Sequence, residues 1–176
     1  MQQFRALIRL ATSRPHLVVL AFSVAMLVGA LLFQFVGGLR PCWLCMAQRW
    51  AHLAAGVLAL SAAILPRRFY RALTAGAGTA LVAGAGIAFY HVGVENHWWA
   101  AVCPDLLAPH EASIEGLRAA LLAAQPVPCD VVQWSLFGIS MAGWNALASL
   151  PVGAAAAYFA LCGTLTAIER GPIELR

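Results

Sequence analysis

Five cysteines are the residues most able to do chemistry in this 176-residue chain, and their spacing sorts them into three groups. Cys42 and Cys45 stand in a Cys-Trp-Leu-Cys run, Cys103 and Cys129 form a widely spaced second pair, and Cys162 is alone. The Cys-x-x-Cys spacing makes a poor structural staple and is typically redox-active or metal-binding. A Cys103–Cys129 bridge could simply staple a loop, adding a few kcal/mol through chain entropy. All four cysteines could together build a tetrahedral zinc site, although the second pair lacks the tight knuckle spacing. Cys162 reads as a small apolar packing residue.

The surroundings of Cys-Trp-Leu-Cys add physical content. Pro41 suits the first turn of a helix, where its missing N–H costs nothing. Cys42 and Cys45 would then occupy the helix N-terminus, where the macrodipole favours a thiolate. Arg49 follows Cys45 by four residues, on the same helical face and one turn deeper. An arginine at a membrane edge is costly unless paired, so Arg49 is a candidate functional residue; the alternative is snorkelling to lipid phosphate. His91, at the end of a later apolar run, is a second candidate, or else an ordinary interfacial histidine.

The elements that must position these side chains follow from composition. Hydrophobic residues make up 62% of the chain and charged residues 10%, against about 45–50% and about 25% in globular proteins. So much apolar surface needs a lipid bilayer to cover it. The net charge of +4 does not point to nucleic acid, because the arginines cluster beside apolar runs rather than along one face. Four stretches have the length and apolarity of membrane spans: about 17–36, 46–65, 72–91 and 144–167. The expected fold is an all-α membrane protein, a single domain over residues 1–176 built as a four-transmembrane-helix bundle. The first span, though preceded by Arg5, Arg9 and Arg14, is too long for a signal peptide's apolar core and lacks a convincing cleavage site. In the third span Gly76, Ala80, Gly84 and Ala88 form a small-residue stripe suited to close helix packing.

Arginine counting sets the orientation. Arg5, Arg9, Arg14, Arg67, Arg68, Arg71, Arg170 and Arg176 fall on one side, and Arg40, Arg49 and Arg118 on the other. The termini and the 66–71 turn are therefore expected in the cytoplasm, with residues 37–40 and a long loop over about 92–140 outside. His97, Trp98 and Trp99 would anchor that loop at the interface. Between residues 111 and 124, Ile114, Leu117, Leu121 and Leu122 lie opposite Glu111, Glu115 and Arg118, the pattern of a short amphipathic surface helix. Four cysteines then lie in an oxidising compartment and Cys162 lies toward the cytoplasm.

The run Arg40-Pro41-Cys42-Trp43-Leu44-Cys45-Met46-Ala47-Gln48-Arg49 resembles the active-site signature of the disulfide bond formation protein B (DsbB) family. The resemblance covers the whole chain: four spans, an external Cys-x-x-Cys before span two, and a second pair between spans three and four. Cys129-Asp130, Trp134, Phe137-Gly138 and Trp144-Asn145 are similar to that family's approach to its last helix. Two positions depart from it. Ala47 stands where an aromatic is frequent, and Gly143 where a proline commonly precedes Trp-Asn; both bear on packing or local shape.

That resemblance implies a multi-pass protein of the bacterial inner membrane with its redox cysteines in the periplasm. It implies reoxidation of a periplasmic DsbA-type thiol oxidase, with electrons passed to the membrane quinone pool as ubiquinone or menaquinone. It also implies roles. Cys103 is attacked by the reduced partner's thiolate, and the released Cys129 attacks Cys42. Cys45 is freed as a thiolate beside the quinone ring, where Arg49 stabilises it and the developing quinone anion; His91 lies near the same ring. No metal is implied. Because a DsbA-type couple sits near about −120 mV, oxidising it requires a strong terminal acceptor, which a membrane quinone supplies.

Three rivals differ in what they require. The vitamin K epoxide reductase-like family is also quinone-coupled but places its Cys-x-x-Cys in the last core helix, the reverse of the order here. A membrane metal- or haem-handling protein would keep the cysteines as reduced ligands. A purely structural adaptor would tolerate Cys42→Ser.

Overall fold

The computed structural model describes residues 14–100 and 128–162. Four long helices account for most of them: α1 (Pro15–Phe35), α2 (Trp43–Ile64), α3 (Tyr70–Glu95) and α4 (Met141–Cys162). The shortest has 21 residues; at about 1.5 Å per residue it already spans about 30 Å, the thickness of a hydrocarbon core. Three stretches are long and apolar enough to cross a membrane: Pro15–Phe35, Arg67–Glu95 and Met141–Cys162. The second helix has the length, but Gln48, Arg49 and His52 in its first half lower its hydropathy.

Helix ends depart from the expected spans for local reasons. The fourth helix starts at Met141, ahead of the expected 144, because the Ser140 hydroxyl accepts the Gly143 N–H and caps it. The third runs on to Glu95 and closes on itself: the Trp98 N–H bonds the Gly93 carbonyl and the His97 N–H that of Val94. This is a Schellman closure with His97, at φ 58°, in the left-handed position that glycine usually fills. Trp99 then folds back, stacking on Tyr90 and donating to the Tyr90 carbonyl, while Trp98 stays exposed. Of the expected aromatic anchor, Trp99 is thus a packing residue of the third helix as well.

The long loop also contains a feature absent from the all-helical expectation. Ser135–Leu136 (β1) and Ile139–Ser140 (β2) form a two-stranded hairpin whose turn residues, Phe137 and Gly138, both have positive φ. That combination suits the tight turn a two-residue hairpin needs. The expected amphipathic helix over 111–124, Cys103, and the stretch of span four beyond Cys162 lie outside the described residues.

Small residues set the packing. Gly76 and Gly84 of α3 face Leu58 and Ala51 of α2, so the expected stripe does mark a helix contact. A second contact was not anticipated: Gly78 of α3 and Gly153 of α4 pack backbone to backbone, where an added Cβ on either would lie under 3 Å from the other's carbonyl oxygen. A helix with neighbours on two sides needs two such stripes. Around them Val19, Ala55, Ala59, Ala77, Leu81 and Ala156 form the core, while Leu32, Phe35, Val57, Ile64 and Leu147 point outward, the arrangement a lipid surrounding favours. At one end of the bundle Arg71 donates to the carbonyls of Ala160 and Leu161, capping α4, and His16 meets the Tyr70 hydroxyl at 3.1 Å. The cysteines of α2 lie at the other end.

Candidate active site

The head of α2 positions the dithiol. Cys42 is the N-cap in an extended conformation, and its sulfur accepts the Cys45 N–H at 3.3 Å. The helix therefore begins at Trp43, and Pro41 precedes the cap rather than occupying the first turn as expected. The cap bond folds the first turn back on itself, leaving the two sulfurs 3.1 Å apart. The thiol hydrogen bond to Cys45, and then burial, push the Cys42 thiol above its ordinary range. Of the pair, Cys42 is thus the one that keeps its proton.

Cys129 is buried in the same apolar cluster as Cys42, Leu44 and Val94, so the chain returns from the long loop to the dithiol. Cys103 lies outside the described residues. Cys162 is partly buried at the opposite end of the bundle, the last residue of α4.

A buried polar chain runs inward from the dithiol. His91 places Nε2 3.6 Å from the Cys42 sulfur and 3.9 Å from Glu95 Oε1. Gln48 Nε2 donates to the Leu44 carbonyl at 3.2 Å and lies 3.0 Å from His91 Nδ1. A carbonyl only accepts, so that end of the Gln48 side chain is its NH2, and His91 Nδ1 must accept from it. The His91 proton is then on Nε2, facing Cys42 and Glu95. From Gln48 Oε1 the chain continues to Asn145 Nδ2 at 2.7 Å, and Asn145 Oδ1 meets Ser149 Oγ at 2.8 Å and His52 Nε2 at 2.9 Å.

Arg49 has acceptors on a neighbouring helix. Its guanidinium crosses to α1, donating to Gln34 Oε1 and, at 3.1 Å, to the Ala30 carbonyl. Between α1, α2, the hairpin and the start of α4 lies a cavity of about 410 Å³, largely apolar, with Cys42, Cys45, Arg49, His52, His91 and Asn145 in its wall. The sequence candidates Cys42, Cys45, Cys129, Arg49 and His91 are thus brought together. Gln48, His52, Glu95, Asn145 and Gln34 were not singled out. The signal available for them was their polarity inside or beside otherwise apolar spans, where such residues are expensive.

Cys42, Cys45 and His91 also offer three donor atoms within 4.8 Å of one another. Two thiolates on a tetrahedral zinc with bonds of about 2.3 Å would stand about 3.8 Å apart. At 3.1 Å these sulfurs are closer than that.

A Cys-x-x-Cys with its first cysteine buried, heading one helix of an apolar bundle and with a further cysteine packed against it, defines a class: thiol–disulfide oxidoreductases embedded in a membrane. The chain belongs to the family described as Disulfide bond formation protein DsbB, which matches residues 12–170. It is 34% identical over 148 residues to Disulfide bond formation protein B 2 of Pseudomonas syringae pv. syringae (strain B728a), covering 79% of this chain and 83% of that one. Disulfide bond formation protein B of Methylococcus capsulatus (strain ATCC 33009 / NCIMB 11132 / Bath) is 34% identical over 149 residues, covering 76% and 84%. That of Stutzerimonas stutzeri (strain A1501) is 31% identical over 153 residues, covering 79% and 89%. No solved structure matches the chain. The protein is a bacterial membrane oxidoreductase of disulfide bond formation.

Proposed function

We propose that this protein reoxidises a periplasmic DsbA-type thiol oxidase and passes the electrons to a membrane quinone, ubiquinone or menaquinone. The observation that carries the reading is that a close dithiol forms part of the wall of an apolar cavity. Cys42 and Cys45 share that wall with Arg49, and the volume of about 410 Å³ falls within the range of about 300–1,000 Å³ usual for small-molecule sites. The apolar walls fit a ring with an isoprenoid tail, and Arg49 would hold a ring oxygen. A quinone bound there supplies an acceptor for two electrons and two protons.

The chain's own residues divide the work. The partner's thiolate attacks Cys103, giving a mixed disulfide and releasing Cys129. Cys129, packed in the cluster that holds Cys42, attacks the Cys42 sulfur of the Cys42–Cys45 disulfide. Cys45 is the leaving group, and a thiol that parts readily with its proton leaves faster; Cys42, whose thiol is raised, is the poorer one. The His91 Nε2–H faces Cys42 and orients its sulfur. Arg49 sets a positive charge at the cavity wall one turn below Cys45.

In this reading all four helices cross the inner membrane, α2 included, with the termini cytoplasmic and the Cys42 end periplasmic. The arginine distribution supports that orientation: Arg14, Arg67, Arg68 and Arg71 fall at the end of the bundle opposite Cys42.

The Cys42, Cys45 and His91 cluster favours a second reading, metal or haem handling with the cysteines as ligands. A thiol count with metal analysis of purified, alkylation-protected protein separates the two. The relay requires Cys42–Cys45 and Cys103–Cys129 isolated as disulfides without stoichiometric metal. Reduced cysteines with bound metal would replace the redox reading.

A further inference from the structure

The hairpin of the long loop is tied to two membrane spans. Just before β1, Trp134 packs on Phe33 of α1 with ring centroids 5.0 Å apart, and Phe33 lies inside the span that ends at Phe35. Trp144, one turn into the span that begins at Met141, donates its indole N–H to the Leu136 carbonyl at 3.2 Å. Contacts with residues inside both spans hold the hairpin at the edge of the hydrocarbon layer. A tryptophan one turn into a span marks the headgroup level, its ring in the apolar side and its N–H toward polar groups.

The tip carries a side chain for which the fold itself has no use. Phe137 is 87% exposed. At φ 53° it holds the left-handed conformation that asparagine or glycine adopts at less steric cost. Leu136 beside it is exposed as well. No Asp, Glu, Lys or Arg occurs between Asp130 and Glu169, so no charge opposes entry of the tip into lipid. In water the strained turn and the solvated ring would both go uncompensated.

We propose that the Ser135–Ser140 hairpin is a lipid anchor, whose tip residues Leu136 and Phe137 enter the headgroup–acyl boundary of the leaflet at the dithiol end. Lipid is the occupant because the tip continues the outward-facing apolar surface of two spans that hold the hairpin on each strand side of its turn. The inference requires α1 and α4 to cross the bilayer and does not depend on the electron acceptor. Its consequence is positional. Cys129 lies shortly before β1, buried in the cluster with Cys42, and Leu136 and Phe137 stand in the wall of the dithiol cavity. An anchored tip fixes one end of the strand that carries Cys129 together with one wall of that cavity.

The test is spin labelling of the full chain in nanodiscs of phosphatidylethanolamine and phosphatidylglycerol. p-Acetylphenylalanine coupled to a hydroxylamine nitroxide replaces Phe137 in one sample and Ser135 in another, which leaves every cysteine untouched. Power saturation compares collisions with oxygen, which concentrates in lipid, and with a nickel chelate, which stays in water. The label at position 137 should collide mainly with oxygen. Phe137→Asn suits the turn better than phenylalanine but supplies no apolar ring. With the label at position 135, it should shift the anchored-to-free balance toward water by at least about tenfold, read as a rise in chelate collisions. A label at position 137 that collides mainly with the chelate, or a label at position 135 indifferent to Phe137→Asn, overturns the proposal. Shielding that appears only on adding ubiquinone-1 or a reduced DsbA-type partner assigns the tip to that species and overturns it too. None of these readings uses quinone reduction, so failure of the proposed function and failure of the anchor are separately visible.

Discussion

Arg49 of the second helix is paired with Gln34 of the first, and the Ala30 carbonyl one turn earlier takes a second guanidinium N–H. The pairing holds a positive charge inside the bundle, at the wall of the cavity that Cys45 also lines. Snorkelling to lipid would leave these two acceptors unused. Arg49→His and Arg49→Gln should therefore raise the apparent KM for quinone by an order of magnitude or more, and slow iodoacetamide alkylation of Cys45 at fixed pH. Arg49→Lys should rescue only part of the loss, because an ammonium cannot serve two acceptors as a planar fork does. Steady-state kinetics against quinone concentration and alkylation rates for each variant check this. Unchanged values in all three remove Arg49 from the site.

Orientation is tested by reporters. A fusion following Arg176, or one inserted within residues 66–71, should report cytoplasm, and one inserted near His110 periplasm. A periplasmic C-terminal reporter would place the dithiol in a reducing compartment and end the oxidase reading.

The cysteine pairs should behave differently on substitution. Cys129→Ser should accumulate a mixed disulfide between Cys103 and the partner, seen on non-reducing gels and mapped by mass spectrometry. Cys162→Ser should leave activity unchanged. A complex trapped through Cys42 instead would reverse the order of transfer.

The sequence revealed the site where chemistry is written as spacing and missed it where contact is three-dimensional. Cys42, Cys45 and Arg49 lie within two helical turns, so one motif and one period placed them together. His91 was legible only as the end of an apolar run, and its alignment with Cys42 depends on how α3 crosses α2. Gln48, Asn145 and His52 form a hydrogen-bonded chain across two helices that are distant in sequence, which no local pattern encodes. The spans were visible as apolar length, but their ends were set by a serine cap and a left-handed histidine. The backbone contact of Gly78 with Gly153 was hidden for the same reason: neither glycine belonged to the four-residue stripe that drew notice.

That contact makes a stability prediction. An alanine Cβ at residue 153 would lie 2.7 Å from the Gly78 carbonyl oxygen and 2.8 Å from Leu81 Cβ, too close without the helices moving apart. Gly153→Ala should cost about 1–3 kcal/mol, read as a lower melting temperature in detergent. Gly86→Ala, with nothing within 4 Å of the added carbon, should be neutral or slightly stabilising. Equal effects from both would refute the close packing of α3 on α4.

The central claim is that electrons leave a protein dithiol and arrive on a quinone by way of Cys42 and Cys45. Its most direct measurement is anaerobic quinone reduction by the purified protein, followed by absorbance, with a reduced DsbA-type partner as the only electron donor. One quinone should be consumed for each partner disulfide formed, and Cys42→Ser or Cys45→Ser should abolish the reaction. Partner oxidation without quinone consumption, or quinone consumption that persists in Cys42→Ser, would contradict it.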